Sequence, residues 1–285
     1  MGDGTQAVGR TEYLMSNVLS GTRTVGRNGH LFAKLQHRGS QWVLCVFVLV
    51  QFQFEVAESA RQRNAKEWTD SEMDDWADHF IRSAENTFSY QWSLEAFALD
   101  LRAPTIVDVE LVVVDVTEES LSSTEHVFTA IVTRGSKERP QTFDKQRKPQ
   151  VQLRETDVSL KPSHGGEGLA QRLTDHEIAH CLGLSHPRCQ DEDLYCYGDP
   201  KTAEGQSVTG LGATVTQKDY VVFAEIMGEI TPTKSWRVRS ETFRSQEPRP
   251  FRYMKIPGPK PDRLPGPARS HGLPLHRHTR HHRKH

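Results

Sequence analysis

This 285-residue chain is defined first by what it has little of. It carries four cysteines, Cys45, Cys181, Cys189 and Cys196, too few for a disulfide framework in a chain of this size. Cys45 and Cys181 stand in apolar segments and read as small core residues. Cys189 and Cys196 flank one loop, where a small disulfide and two free thiols are equally compatible with the sequence, so cysteine leaves the compartment open. No Asn-x-Ser/Thr sequon occurs. The longest apolar run, Trp42 to Val50, has nine residues, whereas a membrane-spanning helix needs about 20; no transmembrane segment is expected. The extreme N-terminus lacks the pattern of a standard secretory signal. The expected location is therefore cytoplasmic or non-classically exported, with secretion left open.

Apolar residues are also scarce. They make up 35% of the chain, and mean hydropathy is −0.63, so part of it is expected to stay unfolded. The formal charge of −1 hides an asymmetry. From Arg237 onward there are 13 Lys/Arg against 3 Asp/Glu, which leaves an acidic body and a basic tail. That tail holds 8 of the 15 prolines, and its last 15 residues contain six histidines. Such a composition has too little apolar surface to fold. It lacks a repeated aromatic pattern, so specific nucleic-acid recognition is not expected. The reading is a flexible arm over 1–41 with at most one short strand, a folded domain over 42–236, and a disordered basic Pro/His-rich tail over 237–285. A monomer is the default.

Within 42–236, the run from Trp42 continues into the alternation Gln51-Phe52-Gln53-Phe54-Glu55-Val56. The β-branched and aromatic content predicts a buried strand. A late signal-like reading, with Lys34 and Arg38 before the run and Ala57, Ser59 and Ala60 after it, competes less well because of that alternation. Thr69 and Glu72 form a capping box. Met73, Trp76, Ala77, Phe80, Ile81, Ala84 and Phe88 then recur at helical spacing and predict a backing helix. Thr105–Val116 and Val127–Thr133 read as strands, 135–149 as a polar loop, and 151–160 as a more polar strand suited to a sheet edge.

What is there most distinctly is the stretch from Thr174 to His186, which reads H-E-x-x-H-x-x-G-x-x-H. His176 and His180 are four apart, so on a helix both imidazoles leave one face. Two such imidazoles can hold one Zn²⁺. Glu177 is placed to act as a general base on water without being a ligand. Gly183 permits the chain to turn sharply, which lets His186 return as third ligand. Three protein ligands leave a fourth position open, the catalytic arrangement of zinc. The helix is expected to start between Glu167 and Ala170. Asp175 reads as a solvated carboxylate, with outer-shell charge as the alternative. His164 reads as a loop residue, and Asp191, Glu192 and Asp193 as a surface loop with little claim on Ca²⁺.

This extended motif resembles that of the metzincin clan of zinc metallopeptidases. The resemblance implies an α+β zincin-like fold with a mixed, mostly parallel sheet and an antiparallel edge strand, here 151–160, along which an extended peptide or protein substrate would pair. It also implies a backing helix, an active-site helix and a C-terminal helix, and a zinc endopeptidase with His176, His180 and His186 on Zn²⁺ and Glu177 catalytic. The chain departs from the clan in one respect. Metzincins carry a methionine in a tight turn beneath the zinc. Here Met227 falls at helical spacing with Tyr220, Phe223 and Ile230, in a final helix that Thr216 can cap. The turn is better placed at Ser207–Gly212, with Val208 or Thr209 where the methionine is expected. A supporting tyrosine is open between Tyr197 and Tyr220. Two other readings stay open: a zincin-fold module that holds zinc or peptide with little turnover, and the protease domain of a delivered toxin or effector.

Overall fold

The computed structural model describes residues 19–26, 30–96, 105–116, 126–137, 141–145, 148–163, 168–187, 194–233 and 235–240. All belong to the first of two units, Met1–Arg249; the second, Pro250–His285, lies outside the described residues. The predicted tail therefore falls outside them, apart from its first four residues. So do His164 and the Asp191–Asp193 loop.

The chain builds a mixed α+β fold on one nine-stranded sheet. Its axis is β3 (Gln41–Val56). Residues 43–50 of β3 are buried without alternation, as expected for a strand covered on both faces. One edge pairs in parallel with β5 (Thr105–Asp115). The other edge is shared. Its first half pairs antiparallel with β2 (Leu31–Arg38), and its second half pairs parallel with β6 (Val127–Arg134). The order continues from β6 to β8 (Lys148–Arg154), parallel, and ends on β7 (Gln141–Lys145), antiparallel. At the opposite side β4 (Ser93–Ala96) and β11 (Arg237–Val238) are antiparallel. The four central strands are thus parallel, and antiparallel strands flank them on both sides. A short β1 (Arg23–Val25) pairs with β2.

After a one-turn helix α1 (Glu58–Arg61), α2 (Asp70–Phe88) begins at the predicted capping box. Thr69 and Glu72 bond each other's backbone there. Trp76, Phe80, Ile81, Ala84 and Phe88 are buried against the sheet, each large side chain contributing about 1.5–3 kcal/mol. Phe52 and Phe54, the apolar half of the Gln/Phe alternation, meet Phe80 and Trp68 at 5.2 and 5.0 Å between ring centroids. Two helices complete the fold, α3 (Leu173–Cys181) and α4 (Val221–Ile230). No helix among the described residues is long and apolar enough to cross a membrane.

Several expectations are corrected. Residues 31–38, within the arm for which at most one short strand was expected, form the eight-residue β2, where Leu31 and Ala33 alternate into the core. Strand pairing also continues past 236, into β11. The edge strand is not 151–160. Val151 and Leu153 are buried while Gln152 and Arg154 alternate outward, so the polarity of this segment marks a solvated face of an inner, parallel strand. Residues 155–159 turn around Asp157, which is fully buried against Arg154 and Lys161. The antiparallel edge is β7, inside the segment read as a loop. Backbone pairing is not vetoed by polar composition. The motif helix starts at Leu173, because Ala170–Gln171 (β10) is held extended against Lys161–Pro162 (β9).

Candidate metal centre

Helix α3 is buried nearly all round, and its first two motif residues, His176 and Glu177, are each 4% exposed. The helix ends at Leu182, and Gly183 follows with φ of +89°, a conformation that glycine adopts without strain. The chain then turns, and His186 comes back to the helix. The three Nε2 atoms form a nearly equilateral triangle, 3.1 Å on each side. A zinc ion at about 2.0–2.1 Å from each nitrogen fits over such a triangle with near-tetrahedral angles.

The donor chemistry agrees with this fit. His176 Nδ1–H donates to the Val208 carbonyl at 2.7 Å, and His180 Nδ1–H to the Leu184 carbonyl at 2.8 Å. With the proton on Nδ1, each Nε2 presents a lone pair to the centre of the triangle. Lone pairs facing one another at this distance repel unless a cation lies between them. Burial pushes His176 down to about 3 and His186 to about 4, and the neighbouring His180 adds to both shifts. His180 is lowered too, again by burial first. All three imidazoles are therefore neutral near pH 7, the form that binds metal. Among the described residues these three are the group that could hold a metal ion, and Glu177 stands outside it. The carboxylate of Glu177 is close enough to add to the raised pKa of the buried Cys181 thiol, whose main cause is burial.

The turn at Ser207–Gly212 lies where the sequence placed it. Val208 is fully buried in the core, and its carbonyl receives the His176 proton. Met227 is buried inside α4. The turn is fastened by hydroxyls and one carboxylate. Thr209 Oγ1 donates to Asp219 Oδ1 at 3.0 Å, and Asp219 Oδ2 accepts from the backbone and hydroxyl of Thr216. Thr216 thus caps the turn leading into α4; the helix itself starts later, after Tyr220.

Two functional positions were not legible in the sequence. Gln171 is buried, and its amide nitrogen donates to the carbonyls of Val208 and Gly210 at 3.0 and 2.9 Å while lying 3.0 Å from His176 Nδ1. It clamps the turn on which His176 leans. No motif position marks it, and its only sequence signal is a polar residue just before a helix. Asp175, read as a solvated carboxylate, is 2% exposed. It accepts from Ser83 at 2.6 Å, Thr87 at 2.8 Å and Arg172 at 3.1 Å, so it ties the motif helix to α2. Of the two tyrosines, Tyr220 belongs to the core, its hydroxyl donating to the Phe88 carbonyl at 2.6 Å. Tyr197 packs on His186, with ring centroids 4.5 Å apart, and lies 5.9 Å from His176. Cys196, beside it, is disulfide-bonded; Cys189 lies outside the described residues, and Cys45 and Cys181 are free thiols.

No protein-family model matches the chain, and no curated protein or solved structure matches it either. The case for a metal centre rests on the three histidines and the groups that orient them.

Proposed function

We propose that the chain is a zinc-dependent endopeptidase of metzincin-like fold. The observation that carries this reading is the His176–His180–His186 triangle, with its Nε2 lone pairs converging and a glutamate next to its first member on the same helix. His176, His180 and His186 would hold the zinc ion, which would supply Lewis acidity toward the scissile carbonyl and acidify water. Glu177 accepts the proton of the attacking water and returns it to the leaving amine. Its burial excludes bulk water, which strengthens its interaction with that water molecule. Tyr197 walls the site beside His186.

The substrate is an extended peptide. Strand β7 is an antiparallel edge strand and lies against α3 together with β8, so its side that is unpaired among the described residues offers backbone pairing to a peptide passing the centre.

The test is Glu177→Ala beside His186→Ala, both in the full chain. Glu177→Ala is expected to lower peptide cleavage by about 10²–10⁴-fold with zinc content unchanged. His186→Ala is expected to lose one zinc relative to the parent, a difference from which the tail histidines cancel. Full activity in Glu177→Ala would end this mechanism. Tight peptide binding without cleavage by the parent protein would instead favour a zinc- or peptide-binding module.

A further inference from the structure

A cavity of about 450 Å³ opens between the loop that carries His186 and the face of α4. This is within the range of sites that hold small ligands or side chains. Its floor is apolar: Leu182 and Ile226 are at most 1% exposed, and Leu184 and Val222 are half-buried beside them. Its rim is acidic. Glu225 and Glu229 stand one turn apart on α4, both exposed and both lining the cavity. Like charges at this spacing destabilise a helix. Among the described residues Glu225 has no ion pair or hydrogen bond, and Glu229 accepts only from the Gly26 backbone N–H, at 3.2 Å. The other acids are occupied. Asp219 is saturated by Thr209 and Thr216, and Glu204 pairs with Lys218 at 2.8 Å.

We propose that this cavity is a subsite for a basic side chain, arginine or lysine, of the peptide substrate. The inference rests on the peptidase reading. An aliphatic stem lies along the Leu182–Ile226 floor, and its cationic head reaches the Glu225/Glu229 rim, as long basic side chains do wherever apolar surface ends in anionic surface. Of the three histidines, His186 lines this cavity, and the proposal places the seated side chain on a peptide whose backbone passes the histidine triangle. Glu225 and Glu229 are then specificity-determining residues and take no part in proton transfer.

The experiment uses zinc-loaded full-length protein and two fluorescent peptides that differ at one position, arginine in one and citrulline in the other. Citrulline keeps the shape of arginine and removes the charge. The arginine peptide is expected to bind at least tenfold more tightly. That preference is expected to vanish in the Glu225→Gln/Glu229→Gln double variant and to weaken as salt rises. Equal binding of the two peptides by the parent protein overturns the proposal, and so does a preference that survives in the double variant. Cleavage is read in the same samples. A charge preference without cleavage keeps the subsite and removes the peptidase reading; cleavage without a charge preference does the reverse. The double variant relieves a like-charge pair on the surface, so its thermal midpoint should be no lower than the parent's.

Discussion

The two halves of the domain are held by different means. The β3–α2 half is cemented by apolar surface: a strand buried on both faces, and a helix whose stripe of aromatics meets Phe52 and Phe54. The half below the metal centre, residues 198–220, contains almost no regular structure. It is held by close backbone approaches at glycine and by the Ser207, Thr209, Thr216 and Asp219 bonds. Apolar packing tolerates changes of shape as long as volume is kept, whereas a hydrogen-bonded turn is directional and fails when one atom is misplaced. The half with directional bonds is the one that orients His176, one of the three histidines that could hold a metal ion.

Substitutions can break this comparison. The largest effect is expected for Gly212→Ala, whose new Cβ would run into the Gln206 backbone. It should cost about 3 kcal/mol or more and remove tight zinc binding, because the Val208 carbonyl would no longer meet His176. Calorimetry of metal binding beside urea unfolding reads both. Phe80→Ala, in the apolar half, should cost a comparable 3–5 kcal/mol in unfolding free energy. Zinc affinity of the still-folded protein should stay within about twofold of the parent, an order-of-magnitude expectation for a site that is not touched. If Phe80→Ala weakens zinc as much as Gly212→Ala does, the two halves are not separable.

Gln171→Leu sharpens the contrast. It removes the two donors that clamp the turn and should weaken zinc about 10–100-fold, as loss of a group orienting a metal ligand does, with little change in the sheet. Gln171→Asn, whose shorter amide reaches at most one of the two carbonyls, should fall between. A zinc affinity unchanged in both would mean that the turn holds without the amide.

The smallest effect concerns Glu85, an acid of α2 that sits at the edge of the apolar half. Glu85 accepts from the Val113 backbone N–H at 3.1 Å, and burial pushes its pKa up to about 7. Below pH 4.5 it is protonated in both folded and unfolded chains. Between there and pH 7 the unfolded chain ionises first, so the folded chain binds more protons and stability falls as pH rises. Glu85→Gln keeps the acceptor and removes this penalty. Its thermal midpoint should equal the parent's at pH 4 and exceed it at pH 8, by about 1–2 kcal/mol of stability. A constant offset across that range would assign the effect to packing instead.

The same division governs what could be read in advance. Periodicity exposes apolar cement, so β3, α2 with its capping box, β5 and β6 were legible within a residue or two. The three histidines that could hold a metal ion were legible as a group because their spacing is fixed by one helical turn and one glycine. The edge of the sheet was misplaced, because the alternation Val151-Gln152-Leu153-Arg154 looks the same on an inner strand with one wet face as on an edge. Gln171 and Asp175 were missed for a related reason. A polar side chain announces neither burial nor partner, and theirs are distant in sequence, at Val208 and Gly210 for one and at Ser83 and Thr87 for the other.

The three imidazoles that face one another all fall between positions 176 and 186, and this has a consequence for how the ion is acquired. Closing loops of a few residues costs little chain entropy, so the unfolded polypeptide could chelate an ion with the same nitrogens, more weakly because it lacks the Val208 and Leu184 carbonyls that orient them. Whatever affinity the unfolded chain has subtracts from the stabilisation that binding gives the native state. An ion held there would then stabilise the fold only by the margin between the native and unfolded affinities. A chelator should strip it and leave the nine-stranded sheet standing, and the emptied protein should take zinc up again without refolding, so that occupancy follows the free zinc concentration around it.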